Sequence, residues 1–207
     1  MAVELKNTLK RYQLQWKPSF SAQKTIILGE NTEYLNESNQ RVGTDPNFFS
    51  LSTIINSAYD SRLVLPFNTS VALAEEYTPQ IKNKVVKYET LGGNSITTFG
   101  QAIRQVGLKI KIIKAGRHWE IYEKGLEAMS YLSGNQTRFY GSLYLLCYDL
   151  FADGTEDLAS RYKVVINRLA FSHRSSENTV LSASLLMSVL HDYGHYSSQK
   201  RRKWGSL

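Results

Sequence analysis

Five places in this 207-residue chain hold side chains whose type and spacing could do chemistry. His191-Asp-Tyr-Gly-His195 sets two imidazoles at i, i+4, a spacing that grips zinc when both rings lie on one helix face. The general-base glutamate of the HExxH pattern is missing, Gly194 breaks a helix, and the residues in front alternate as a strand does. The two rings need not share a face, and no metal is expected. Ser172 to Ser176 surround His173 but lack a nucleophile elbow and a paired acid, so the stretch reads as a solvated hairpin end. Gly92-Gly93-Asn94 followed by Gly100 lacks the GxxxxGK[ST] spacing of a phosphate loop and reads as a turn. Cys147 is the single cysteine, which excludes an intramolecular disulfide and a multi-cysteine metal site. Set in the apolar run Leu143 to Tyr148, it reads as a small buried hydrophobe. None of these names a reaction, and no cofactor is expected.

The fifth place is basic. Lys200-Arg-Arg-Lys203 stands beside Trp204 in a chain with 25 Lys and Arg against 18 Asp and Glu, a formal net charge of +7. Nucleic acid, an acidic membrane surface and an acidic protein are the three partners such a run can meet. Neither an RRM-type aromatic strand motif nor a zinc knuckle accompanies it. A protein neighbour is favoured because no stacking platform goes with the charge, with Trp204 in a pocket and the cations at its rim. At the other end Trp16 and Phe20 are costly to leave in water and should dock on a neighbour or on the chain's own body. We assign partner contact to Trp16, Phe20, Lys200, Arg201, Arg202, Lys203 and Trp204.

These residues need elements to place them. The second half of the chain is dominated by two long strands, Arg161 to Ser172 and Thr179 to Tyr193, joined by a polar connector. In the second, Ser182, Ser184 and Ser188 fall on one face and Ala183, Leu185, Met187 and Val189 on the other, the alternation of a sheet with one dry side. Before them come strands at Ile81 to Leu91, Gly107 to Lys114 and Thr137 to Phe151. One good helix stands among these, its stripe Trp119, Tyr122, Leu126 and Met129, with Gly116 placed to cap it and Gly134-Asn135 to end it.

Residues 1–78 read as an N-terminal arm with a strand at Thr25 to Leu28 and one short helix over 46–60, capped by Asp45 and opened by Pro46. Pro66 and Pro79 bracket a linker. The compact β domain spans 79–193 and a basic tail 194–207. The fold class is mainly β with one packed helix (α+β), an antiparallel sheet or small barrel. Hydrophobic residues at 42 % suit a folded chain, and thirteen Tyr and eight Phe suit strands and interfaces. The first residues carry no signal-peptide pattern and no window approaches 18 apolar residues, so a soluble protein of a reducing compartment is expected.

Lys84-Val-Val-Lys-Tyr-Glu-Thr-Leu-Gly-Gly93, the extended run Ile96 to Ile113, the helix Trp119 to Leu132, and the pair Tyr162 to Phe171 with Val180 to Leu190 follow one another in a familiar order. The domain from about Thr78 to Tyr193 resembles the tube-type fold of bacteriophage tails, found in tail-tube subunits and in baseplate proteins that initiate or adapt the tube. The resemblance implies a structural virion protein without catalysis, made in the host bacterial cytoplasm. Its implied partners are sister subunits in a ring, the tail tube and baseplate or hub proteins, with no membrane and with DNA passing a lumen without specific binding. Open strand edges need pairing, and a ring closes them against sister chains. The long N-terminal extension and the basic tail depart from a plain tube subunit and favour a ring at one end of the tube. A basic nucleic-acid-binding module is the alternative, and a hydrolase with an unrecognised site the third reading.

Overall fold

A computed structural model describes residues 9–29, 33–35, 40–44, 50–82, 85–89, 95–99, 103–114, 116–151, 155–173, 179–193 and 202–203. The strands are β1 (Leu9–Pro18), β2 (Lys24–Ile27), β3 (Glu33–Leu35), β4 (Arg41–Thr44), β5 (Ser61–Pro66), β6 (Ala72–Lys82), β7 (Val85–Glu89) and β8 (Ser95–Phe99). They continue as β9 (Ile103–Ile113), β10 (Gly141–Leu150), β11 (Thr155–His173), β12 (Val180–Asp192) and β13 (Arg202–Lys203), with helices α1 (Leu51–Ser57) and α2 (His118–Gly134). The architecture is mainly β, α+β, as the sequence leads one to expect. One sheet runs β4-β3-β2-β5-β1-β10-β11-β12-β9-β6, with β13 added to β11, and a separate hairpin pairs β7 with β8. Among the described residues every pairing is antiparallel except β2 with β5.

The core follows from alternation. Tyr12, Leu14 and Trp16 of β1, Leu143, Leu145 and Cys147 of β10, and Tyr162, Val164 and Ile166 of β11 are buried at every second position. So are Leu181, Ala183, Leu185 and Met187 of β12 and Val106, Leu108, Ile110 and Ile112 of β9. Ser184 is exposed, so the expected register of β12 holds. Against this face lies α2, which buries Tyr122, Leu126 and Met129 of the expected stripe together with Ile121, Gly125, Ala128 and Leu132. At Gly125 the helix comes close: an added Cβ would stand 3.2 Å from Leu65 Cδ1. The last turn of α2 is tied to β11, whose Ile166 N–H donates to Ser133 Oγ at 3.1 Å, and Gln136 Nε2 donates to the Val164 carbonyl at 3.2 Å.

Tyr12 of β1 stacks on Tyr77 of β6, ring centroids 5.1 Å apart. These two strands are the ends of the six-strand run β1-β10-β11-β12-β9-β6, so the run curls until its ends meet. Among the described residues they meet through side chains and not through a backbone ladder.

Several expectations need correction. Residues 1–78, expected as an arm, carry β1 to β5, α1 and the start of β6, and β1 lies between β5 and β10 inside the main sheet. The linker expected between Pro66 and Pro79 holds the first part of β6. Pro79 fits there because β6 is an edge strand, where a missing N–H costs no ladder bond on the open side. The strand expected at Ile81 to Leu91 is therefore split between β6 and β7. The first helix is shorter than expected. Its cap is Ser50, whose Oγ accepts from Thr53 N–H at 3.2 Å, while Asp45 and Pro46 lie outside the described residues. The cap of α2 is Arg117, with Gly116 in front of it at φ 60°. β10 begins at Gly141 and not Thr137, because residues 135–140 form turns that bring Tyr140 to φ 46°.

Candidate interaction surfaces

Trp16 does not face a partner. It is fully buried on the inner face of β1, and its Nε1–H donates to the Ala58 carbonyl at the end of α1, 2.9 Å away. Gly141 makes room for it across the β1–β10 ladder: a Cβ there would stand 2.2 Å from Trp16 Cζ2. The chain's own body, and not a neighbour, takes this indole. The signal was present, since Tyr12-Gln-Leu-Gln-Trp16 alternates as an inner strand does.

Phe20 is the opposite case, with 69 % of its surface exposed. It lies 6.0 Å from Tyr140, itself 62 % exposed, and the turn that presents Tyr140 is pinned by Ser19 N–H donating to the Tyr140 carbonyl at 2.6 Å. Next to Tyr140, buried Phe139 packs against Tyr59 at 4.8 Å and Tyr131 at 5.8 Å, both of them exposed rings. Arg138 lies over Phe139 and donates from Nη1 to Tyr131 Oη at 3.3 Å. The result is a continuous aromatic patch at one end of the sheet, half of it strung on a backbone turn. A tyrosine in the left-handed region costs of order 1 kcal/mol or more, and such outliers gather at working surfaces.

Of the tail, Arg202 and Lys203 form β13, opposite Glu156 and Thr155 of β11, while Lys200, Arg201 and Trp204 lie outside the described residues. His191 is exposed on β12 with its ring 4.4 Å from that of Tyr193, on a strand as expected, and His195 lies outside the described residues.

A cleft of about 650 Å³ opens where the curled sheet meets itself, walled by Lys10, Arg11 and Tyr12 of β1 and by Leu73 to Tyr77 of β6. Tyr12 and Tyr77 line it, and Cys147, buried on β10, lies within reach of Tyr77. Burial pushes the Cys147 thiol up to about 12, against the opposing pull of Lys10 and of a hydrogen bond from Tyr77. Burial likewise raises Tyr12 to about 12, with Cys147 and Asp149 adding to the effect, and raises Tyr77 further. A thiol held this far above neutrality is no nucleophile, in keeping with its reading as a buried hydrophobe.

Among the described residues β6 has the longest run with a ladder partner on one side only, eleven residues paired to β9, its other side facing β1 across the cleft around Tyr77. Leu73 and Ile81 on it are 50 % and 67 % exposed. Lys109–Glu76 and Lys111–Glu75 ion pairs bridge it to β9 in the open, where such pairs add little stability.

No protein-family model and no curated protein matches the chain. Among solved structures it is similar to a chain in the tail of an empty GTA particle refined with C6 symmetry, 12 % identical with a TM-score of 0.31, covering 59 % of this chain and 81 % of that one. A chain in the virion of the native gene transfer agent particle is 10 % identical with a TM-score of 0.30, covering 59 % and 83 %. A third, in the six-fold symmetrised baseplate of the anti-feeding prophage, is 11 % identical with a TM-score of 0.28, covering 69 % and 86 %. Likeness at this depth assigns this chain neither activity nor partners.

Proposed function

We propose that the chain is a structural virion protein of a phage-type tail, a ring-forming subunit that initiates the tail tube or adapts it to the baseplate hub, and not an enzyme. The observation that carries this reading is β6: a long edge strand bearing exposed Leu73 and Ile81 is a template for another strand. A sister subunit in a ring gives such an edge a closed set of partners. The aromatic patch around Phe139 supplies a second contact of the kind that anchors interfaces, rigid rings beside a guanidinium. In this reading the tube and the hub proteins take the two ends of the ring, and the basic tail docks through Lys200, Arg201, Arg202, Lys203 and Trp204 on an acidic neighbour.

The test is assembly. Negative-stain imaging of the purified chain, alone and with candidate tail proteins from the same source, should show rings. Ile81→Lys should abolish them while leaving the circular dichroism spectrum unchanged. A chain that stays monomeric under both conditions overturns the proposal. Duplex DNA binding that weakens steeply from 50 to 200 mM salt, with no rings, would install the nucleic-acid-binding module in its place.

A further inference from the structure

The outer face of the sheet carries a built cationic site. Arg161 projects from β11 opposite Leu146, and its guanidinium carbon lies 4.3 Å from the ring centroid of Tyr144 on β10 and 4.9 Å from that of Tyr193 just past β12. The two rings are 6.1 Å apart and inclined at 50°, so they form the walls of a cradle. Tyr193 is held in place by its own N–H, which donates to the Arg161 carbonyl at 3.1 Å, and by the His191 ring at 73° to its own. Arg161 Nε is buried without a hydrogen-bond partner, and among the described residues no carboxylate pairs with this side chain. Lys163 stands next on the same face, in register with both Tyr144 and His191. The nearest acid along β12, Asp192, is already bonded to Arg104.

We propose that this cradle receives a carboxylate side chain from an acidic, extended segment of a protein partner laid across β10, β11 and β12, with Arg161 as the central fork and Lys163 and His191 on its flanks. Three features favour it. A guanidinium seated in the corner made by two rings has lost part of its rotamer freedom before binding, so its fork is pre-organised for two parallel bonds to a carboxylate. Among the described residues the patch is positive with no resident counter-charge on it. Finally, one face of each ring is taken by the guanidinium, and two fixed cations with one histidine are few for a phosphate backbone, which is gripped by arrays. The inference does not depend on the role proposed above.

The probe is a fluorescein-labelled hexaglutamate peptide, titrated with the full chain at 50 mM salt and read by anisotropy. Arg161→Lys keeps the charge and loses the fork, and should weaken binding about tenfold, the loss of one charge-assisted hydrogen bond. Tyr193→Leu, outside the last long strand, should weaken it in the same direction with an unchanged thermal melt. Arg117→Gln, which removes an exposed cation at the start of α2, should change it less than twofold. Equal binding by wild type and Arg161→Lys overturns the proposal, since charge alone, the basic tail included, would then explain the affinity. So does absence of binding, and so does a labelled thymidine hexamer that binds more tightly than the peptide and is equally sensitive to Arg161→Lys.

Discussion

Single residues in this chain are distinguished by how closely the backbone approaches them. Gly141→Ala would drive a Cβ into the buried Trp16 ring, and overpacking of this kind costs about 1–3 kcal/mol. Gly134 ends α2 with nothing within 4 Å of an added Cβ and no left-handed φ, so Gly134→Ala should be neutral or stabilise by about 0.4–1 kcal/mol. Urea midpoints of the two variants should therefore move in opposite directions. Leu185→Ala on the dry face of β12 should cost about 2–5 kcal/mol and Ser184→Ala less than about 0.5 kcal/mol. Equal shifts in the same titration would put the register out by one. That register was legible because serine and apolar residues alternate there, with Leu186 the one apolar residue on the serine face. The place of Trp16 was only half legible, because the alternation from Tyr12 to Trp16 marks a strand with one dry face, while a large ring avoids water equally well against a neighbour or against its own chain. Only the partner strand 127 residues away, where Leu143 lies opposite it, decides between them.

Elements were legible where one period ran long enough. α2 and β12 carry their own patterns, whereas β1 mixes buried Gln13 with Lys10 and Arg11, and β6 contains a proline. Polar residues on an inner strand's outer face and a proline on an edge both read locally as loop. Truncation separates the two chain ends. Removing residues 1–18 strips β10 and β5 of their shared partner and takes Tyr12, Leu14 and Trp16 out of the core. Loss of the near-ultraviolet circular dichroism signal and aggregation are the expected outcome. Removing residues 194–207 deletes only the two-residue β13 from the described ladder and should leave the melt within a few degrees. If the tail docks on a neighbour, that same deletion blocks incorporation into particles, and Trp204→Ala does so more than any one lysine or arginine change.

At the scale of the molecule, the sheet is closed by side chains. Tyr12, Tyr77 and Cys147 all gather at the meeting of β1 and β6, and all three hold their protons more tightly folded than unfolded. Their contribution is complete below the ordinary thiol and phenol values, near 9 and 10, and is lost as pH rises through the raised ones, near 12 for Cys147 and Tyr12. Urea midpoints should be level from pH 7 to about 8.5 and fall from about 9 upward, and Cys147→Ala should delay the onset of that fall. Hydrogen exchange should find β6 less protected than β10 and β11, because β6 is paired on one side only. An alkaline midpoint that stays flat to pH 11 would show that the three groups do not hold the closure.

The pairing of β1 with β10 also has a consequence for how the protein is made. Leu9 meets Leu150 and Pro18 meets Gly141, so β1, once it leaves the ribosome, waits for about 120 further residues to be synthesised before its main partner exists. At about 5–20 residues per second that is several seconds or more with Leu14 and Trp16 uncovered except by β5 and α1, an interval in which a nascent chain is open to chaperones and to other unfolded chains.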